Sequence, residues 1–313
     1  MSGRRVRFAK GHGTQNDFVL LDDPDAALDL APALVRTLAD RHTGLGGDGV
    51  IRVVRSAALA DEEPTAKEAA AAGADWFMDY RNADGSVAEM CGNGVRVLVA
   101  YLLKEGRLLL PEGATGAVGT RGGVKAVRRE GGPDGEIFAV GMGPWRVDGG
   151  GAAVAAGGDV TVRVGILTGA ELPALPGLSV DLGNPHVVVL LPDLDTLRSL
   201  DLSVAPRVEP VPPHGANVEF VVPTGEGQLA MRVHERGVGE TRSCGTGAVA
   251  AAAAVRAFEL GVPGAAVPDE WLLDVPGGRV RVRFTPGDGS DGGAASELAG
   301  PARLVAEGEL LHL

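Results

Sequence analysis

The chain holds two cysteines, and both lie in the same setting. Glu89-Met90-Cys91-Gly92-Asn93-Gly94 leads into an apolar run that ends at Leu103, and Arg242-Ser243-Cys244-Gly245-Thr246-Gly247 leads into another that ends at Leu260. A cysteine that opens a helix faces unpaired backbone N–H groups and the positive end of the helix dipole. Both favour thiolate over thiol and lower the pKa from its usual value of about 8.5. The flanking glycines let the backbone turn sharply and let a ligand approach bare amides, which can hold a carboxylate. Each motif therefore offers a sulfur base and an anion clamp. Placed face to face, the two make a two-base device. One thiolate removes a proton from a carbon, the other thiol returns one from the opposite side, and configuration inverts. A carboxylate held at helix N-termini acidifies that carbon, because the amides stabilise charge moving onto its oxygens. A lone free cysteine is most often a small buried hydrophobe; two matching Gly-flanked helix starts argue for chemistry instead. A redox pair would place both sulfurs in Cys-x-x-Cys, which is absent from the sequence.

The two motifs are about one domain length apart, so two related domains, each carrying one cysteine, are the simplest framework. The length of 313 residues agrees with about two domains. Short Val-rich runs bounded by Gly, Pro, Asp or Asn predict strands at 17–21, 50–54, 76–80, 137–140, 160–164, 187–191, 218–222, 229–233 and 280–284. Helical spacing predicts a helix over 32–41, and the runs 94–103 and 247–260 are apolar nearly all round, as in buried helices. Segments 56–75 and 286–300 resemble surface insertions, expected as mobile loops, and 149–158 resembles an exposed connection. With 29 Lys and Arg against 41 Asp and Glu, the net charge is −12, which disfavours nucleic acid and anionic membranes as partners. No apolar run reaches the ~20 residues of a membrane span and no signal peptide is evident, so a cytoplasmic enzyme is expected. His12, His42 and His186 lack the spacing of metal ligands, and they are expected to orient loops or line a cleft. Asp48 and Asp84, beside glycines, are expected as turn formers.

Beyond the cysteines, an ordered set of blocks carries a family resemblance. They are Lys10-Gly-His-Gly-Thr-Gln-Asn-Asp-Phe18, Asp40-Arg-His-Thr-Gly-Leu-Gly-Gly-Asp48, Asn82-Ala-Asp-Gly-Ser86 and Ala88-Glu-Met-Cys-Gly-Asn-Gly94. Gly183-Asn-Pro-His186, Asn217-Val-Glu-Phe220, Glu235-Arg-Gly-Val-Gly-Glu-Thr241, Cys244-Gly-Thr-Gly247 and Pro276-Gly-Gly278 follow. In this order the sequence resembles the diaminopimelate epimerases. The resemblance implies an α/β fold of the α+β type with two pseudo-symmetric domains, each a mostly antiparallel curled sheet around a central helix, with the active site between them. It places those domains at 1–142 plus 301–313, through a returning strand at 303–313, and at 143–300. It implies an enzyme without cofactor or metal that interconverts LL- and meso-diaminopimelate for lysine and peptidoglycan synthesis, and a homodimer.

Carried over by position, Cys91 and Cys244 are the catalytic pair. Asn16, Asn82, Asn184, Asn217, Glu235 and Arg236 match substrate-binding positions, and the amides of Gly92, Asn93, Gly245 and Thr246 would hold the reacting carboxylate. The chemistry suits a substrate with two carboxylates and two ammoniums: Arg236 can fork onto the distal carboxylate, Glu235 can accept from an ammonium, and the asparagines can donate or accept. Four positions depart from the family pattern. Thr14-Gln15 replaces the commoner Leu-Gly, and His234 stands where an aromatic usually precedes Glu-Arg-Gly. Ala39 stands where some members carry an extra cysteine, and Gly49 where some bind substrate with Gln. A proline or hydroxyproline racemase would share the facing cysteines, but Glu235-Arg236 adds an anchor for a longer substrate. A catalytically dead binding module would be expected to lose a cysteine or its glycines, and neither is lost.

Overall fold

The structure, a computed structural model, describes residues 5–131, 136–285 and 295–311. It forms two compact units, Met1–Gly141 with Ala299–Leu313, and Met142–Leu298. The first contains β1 (Val6–Gly13), β2 (Asn16–Asp22), α1 (Pro32–Ala39), β3 (Gly49–Arg55), α2 (Ser56–Leu59), α3 (Pro64–Ala71) and β4 (Trp76–Asn82). It continues with α4 (Gly92–Lys104), β5 (Thr115–Thr120), β6 (Gly123–Glu130) and most of β7 (Ile137–Pro144). The second contains β8 (Arg146–Val147), α5 (Gly150–Ala156), β9 (Val160–Arg163), β10 (Leu175–Asp181), β11 (Pro185–Leu190), α6 (Leu194–Ser199) and β12 (Arg207–Glu209). Then come β13 (Asn217–Gly225), β14 (Gln228–Glu235), β15 (Gly239–Thr241), α7 (Gly245–Leu260), β16 (Glu270–Val275), β17 (Gly278–Thr285) and the start of β18 (Ala295–Pro301). Strand β19 (Arg303–Leu310) belongs to the first unit.

The two units share one topology. In the first, β1 and β2 form a hairpin, β2 pairs in parallel with β3, and β3 pairs antiparallel with β4. A cysteine loop and α4 follow; β5 then pairs in parallel with β4 and antiparallel with β6. In the second, β10 and β11 form the hairpin, β11 runs parallel to β13, and β13 is antiparallel to β14. A cysteine loop and α7 follow; β16 then pairs in parallel with β14 and antiparallel with β17. The registers set Phe18 opposite Gly49 in one unit and His186 opposite Asn217 in the other. Position for position, Phe18 thus corresponds to His186 and Ile51 to Glu219.

Each curled sheet wraps its own helix. Helix α4 packs against β1, β2, β3, β4 and β19, and α7 against β10, β11, β13, β14, β16 and β17. That surround explains why neither helix has a polar stripe. Val95, Val97, Leu98 and Val99 fill the first, and the unbroken alanines 250–254 are fully buried in the second. Small side chains let the strands approach α7 closely; each buried methyl contributes only about 1 kcal/mol, so the helix is stabilised by the number of its contacts.

All nine expected strands and the three expected helices are present. Three expectations need correction. Segment 56–75 is not a loop: it holds α2 and α3, with Leu59, Ala66 and Ala69 buried on Val54 and Phe77. Pro64 starts α3 and the Glu63 carboxylate accepts from Thr65 N, so the segment carries its own start signal. Segment 149–158 is mostly exposed, as expected of a connection, but it is helical: it contains α5, closed by Gly157 in the left-handed region (φ 80°), with Ala153 buried. Of the expected loop 286–300, residues 286–294 lie outside the described residues, whereas 295–300 are in β18. The returning C-terminal strand implied by the resemblance is β19, which pairs with β1; residues 312–313 lie outside the described set.

Candidate active site

In the first unit, the β1–β2 hairpin turns on Thr14 and Gln15, both left-handed (φ 50° and 62°). Such a turn normally uses Asn-Gly, and a β-branched residue there is strained. Thr14 is buried, and its hydroxyl accepts from Arg96 Nη2 at 3.0 Å, which gives the departure from Leu-Gly a structural partner. The turn delivers Asn16 at the start of β2. Cys91 is the N-cap of α4, half-buried, with Sγ 3.6 Å from Asn16 Oδ1. Asn93, in the first helical turn, donates from Nδ2 to the same oxygen at 3.2 Å. Asn16 in turn donates to Asp48 Oδ2 at 2.7 Å. Arg41 bridges Asp48 and Asp17, and Lys10 also pairs with Asp17. Burial opposes ionisation of Asp17, but hydrogen bonds and charge from Arg41 and Lys10 outweigh it and hold the carboxyl at about 2. Asp48 is pushed upward, first by burial and then by Asp17. Asn82 ends β4 and donates to Ser86 Oγ at 3.0 Å within its own turn, where Asp84 Oδ1 accepts from Ser86 N. Cys91, Gly92, Asn93 and Asn16 are therefore gathered at one helix start, with the Asn82 side chain engaged separately.

In the second unit, Cys244 is the N-cap of α7 and is buried. Its Sγ accepts from Gly247 N at 3.4 Å and lies 3.6 Å from Thr246 Oγ1. Asn184, at the β10–β11 turn, donates to Thr246 Oγ1 at 3.3 Å, much as Asn16 meets Asn93. Asn217 Oδ1 accepts from Arg236 N at 2.9 Å, and Arg236 Nη1 donates to His214 O at 2.6 Å. Glu235 accepts from the Thr241 hydroxyl. His234 contacts Leu202 O through Nδ1 at 3.1 Å, so the residue standing in for the family's aromatic is tied to a neighbouring loop. The expected lowering of both thiol pKa values does not hold for Cys244. Burial, then the charges of Glu235 and Glu219, push its thiol well up, against the hydrogen bonds from Thr246 and Gly247.

Arg96 and Glu219 were not singled out from sequence, whereas His186 was expected to orient a loop or line a cleft. Arg96 lies wholly buried on α4. His186 Nδ1 and Glu219 Oε1 are 2.7 Å apart and fully buried, and His186 Nε2 and Glu219 Oε2 have no hydrogen-bond partner among the described residues. An ionisable residue inside an apolar run was the available signal for Arg96 and for Glu219. Of the other histidines, His12 Nδ1 accepts from Gln15 N at 3.3 Å and braces the hairpin turn, while His42 is exposed. Among the described residues, no group of three or more His, Cys, Asp or Glu is arranged to hold a metal ion, and no helix is long and apolar enough to cross a membrane.

The family model described as diaminopimelate epimerase matches residues 8–147 and 178–305, both helix starts included. The chain belongs to the diaminopimelate epimerase family. A diaminopimelate epimerase of Streptomyces coelicolor is 50% identical over 308 residues, covering 97% of this chain and 95% of the relative. One from Thermobifida fusca is 48% identical, covering 97% of this chain and 98% of the relative. Among solved structures, a PhzF-family phenazine biosynthesis protein of Bacillus anthracis aligns with TM-score 0.65 and 16% identity over 98% of this chain and 99% of its own. A hydroxyproline epimerase of Agrobacterium vitis aligns with TM-score 0.63 and 14% identity over 98% and 92%. Likeness at such low identity establishes the family's fold, a sheet-rich α/β architecture, and nothing of substrate.

Proposed function

We propose that this protein is an isomerase that inverts one α-carbon of 2,6-diaminopimelate, interconverting the LL and meso forms without a cofactor. The observation that carries the reading is the repeated helix start: two topologically matched units each cap a buried helix with a cysteine, inside a chain half identical to a diaminopimelate epimerase. The two units are the two epimerase domains, and Cys91 and Cys244 act on opposite faces of one stereocentre. One thiolate takes the α-proton and becomes a thiol. The electron pair left behind spreads onto the carboxylate, held by the amides of Gly92, Asn93, Gly245 and Thr246. The other thiol supplies a proton from the far side and becomes the thiolate, so the enzyme ends one proton exchange away from where it began.

The raised thiol of Cys244 suits a resting proton donor. A pKa unit corresponds to ~1.36 kcal/mol, so thiol tuning supplies only part of the barrier reduction; positioning and the amide clamps supply the rest. Asn16, Asn82, Asn184 and Asn217 orient the substrate's amino and carboxylate groups, Glu235 accepts from an ammonium, and Arg236 forks onto the distal carboxylate. A cytoplasmic homodimer serving lysine and peptidoglycan precursor synthesis completes the proposal, on the family's example. The test is incubation with LL-diaminopimelate and chiral analysis of the product, with proline and 4-hydroxyproline as controls. Meso-diaminopimelate should form and the controls stay unchanged; inversion of either control, with diaminopimelate untouched, would overturn the reading.

A further inference from the structure

Arg96 is the one wholly buried arginine at a cysteine helix start; the corresponding position of α7 is Val249. Its Nη1 donates to Pro301 O at 3.0 Å, and its Nη2 donates to Thr14 Oγ1 at 3.0 Å and to Asn93 Oδ1. Its Nε has no hydrogen-bond partner among the described residues. No carboxylate is among these partners, which is unusual for a buried cation.

The bonds form a chain whose polarity is fixed from both ends. Arginine only donates, so Asn93 must present Oδ1 to Arg96 and Nδ2 to Asn16. An ionised carboxylate only accepts, so Asn16 must present Nδ2 to Asp48. The oxygen of Asn16 is thereby left facing Cys91 Sγ. Neither amide can flip without losing a bond at a buried position, at a cost of about 1–3 kcal/mol.

We propose that Arg96 is a positioning residue for Cys91, acting in two ways: its donor fork fixes Asn93 and Asn16 against the sulfur, and its unpaired buried charge favours the thiolate. The proposal rests on the epimerase reading for its kinetic consequence, but not for its electrostatic one. Burial holds the Arg96 pKa down at about 10, still charged at neutral pH, and the opposing influence is the Cys91 thiolate. The same attraction must ease loss of the Cys91 proton. The other charged groups of this network are Asp48, Asp17, Arg41 and Lys10, on the β1–β2 hairpin and the loop before β3. None of them is a hydrogen-bond partner of Arg96.

The test is the rate at which iodoacetamide alkylates Cys91 in the native chain, followed by peptide mass spectrometry across pH, for wild type, Arg96→Met and Arg96→Lys, each checked for folding by circular dichroism. Arg96→Met should slow Cys91 alkylation about tenfold at pH 7 and move its pH midpoint upward. Arg96→Lys keeps the charge but not the fork. It should alkylate within about twofold of wild type while kcat for diaminopimelate falls about tenfold or more and KM changes less than about threefold. If Arg96→Met fails to fold, the Arg96→Lys pair of readouts decides alone. Wild-type alkylation in a folded Arg96→Met, or wild-type kcat in Arg96→Lys, would overturn the proposal. Alkylation needs no substrate, so a wild-type chain that failed to epimerise diaminopimelate would remove the proposed function and leave the electrostatic result standing.

Discussion

On the central parallel strand pair, the first unit carries Phe18 and Ile51 where the second carries His186 and Glu219, and Ile51 and Glu219 lie beside Gly94 and Gly247 of the two helix starts. On the helix itself the pattern reverses, with Arg96 in the first unit and Val249 in the second. The same backbone device therefore meets a buried cation in one copy and a buried carboxylate in the other. Two identical half-sites would both favour the same protonation state, whereas a two-base reaction needs one thiolate and one thiol at a time. On the proposed two-base scheme, the difference means that the helix N-terminus supplies the shared part, a clamp for the carboxylate, and that burial and the side chains around it set the proton inventory.

The largest expected effect removes the sulfurs. Cys91→Ala and Cys244→Ala should each lower kcat by ~10³-fold or more while the thermal midpoint moves by only a few degrees. Near wild-type turnover in either would break the symmetry of roles.

Next come the glycines one turn into each helix. A Cβ on Gly247 would lie 2.6 Å from Glu219 Oε1 and 3.2 Å from the Cys244 Cβ. On Gly94 it would meet Ile51 Cδ1 at 3.2 Å and Met78 Sδ at 3.4 Å, both ends of flexible side chains. Urea unfolding should place Gly247→Ala about 2–3 kcal/mol below wild type and Gly94→Ala within about 1 kcal/mol, helped by alanine's helix propensity. Equal costs would mean that the packing beneath the two sulfurs is not different.

Alkylation sharpens the comparison further. At pH 8 iodoacetamide should modify the half-buried Cys91 about tenfold or more faster than the buried Cys244, whose thiol is held up by burial and by Glu235 and Glu219. Glu219→Gln keeps a hydrogen-bonding partner for His186 and removes one of those charges, so Cys244 should then react severalfold faster with Cys91 unchanged.

The smallest effect concerns acid. Asp17 and Asp48 have Pro185 and Ala216 at the corresponding positions of the second unit. Because the folded carboxyl of Asp17 lies at about 2, below its unfolded value, its contribution is complete above about pH 4 and lost as pH falls toward 2. Asp48 is shifted the other way and partly cancels it. Asp17→Asn should flatten the stability profile between about pH 4 and 2, read by urea midpoints at several pH values.

The cysteine loops and their apolar helices were legible in sequence because Cys-Gly-x-Gly marks a helix start with local residues alone. The Val-rich strands were legible for the same reason. Helices α2 and α3 were not: their Ala-rich composition reads as unable to bury much, yet Leu59, Ala66 and Ala69 pack against Val54 and Phe77; α5 was not legible either, because its Gly-rich segment reads as a connection. The proton inventory was the least legible part. The lowered thiol expected for Cys244 follows from the helix dipole, but burial reverses it, helped by the charges of Glu235 and Glu219, which arrive from β14 and β13 through strand register. Arg96 looks like a surface charge interrupting an apolar run until Pro301, from the far end of the chain, is found closing over it.

The two-base scheme is tested most directly by the first turnovers of LL-diaminopimelate in heavy water. The meso product should carry deuterium at the inverted α-carbon while unreacted LL substrate carries none, since the proton removed by one sulfur is not the one returned by the other. Deuterium appearing equally in recovered substrate and product from the outset would mean that a single base serves both faces, and would contradict it.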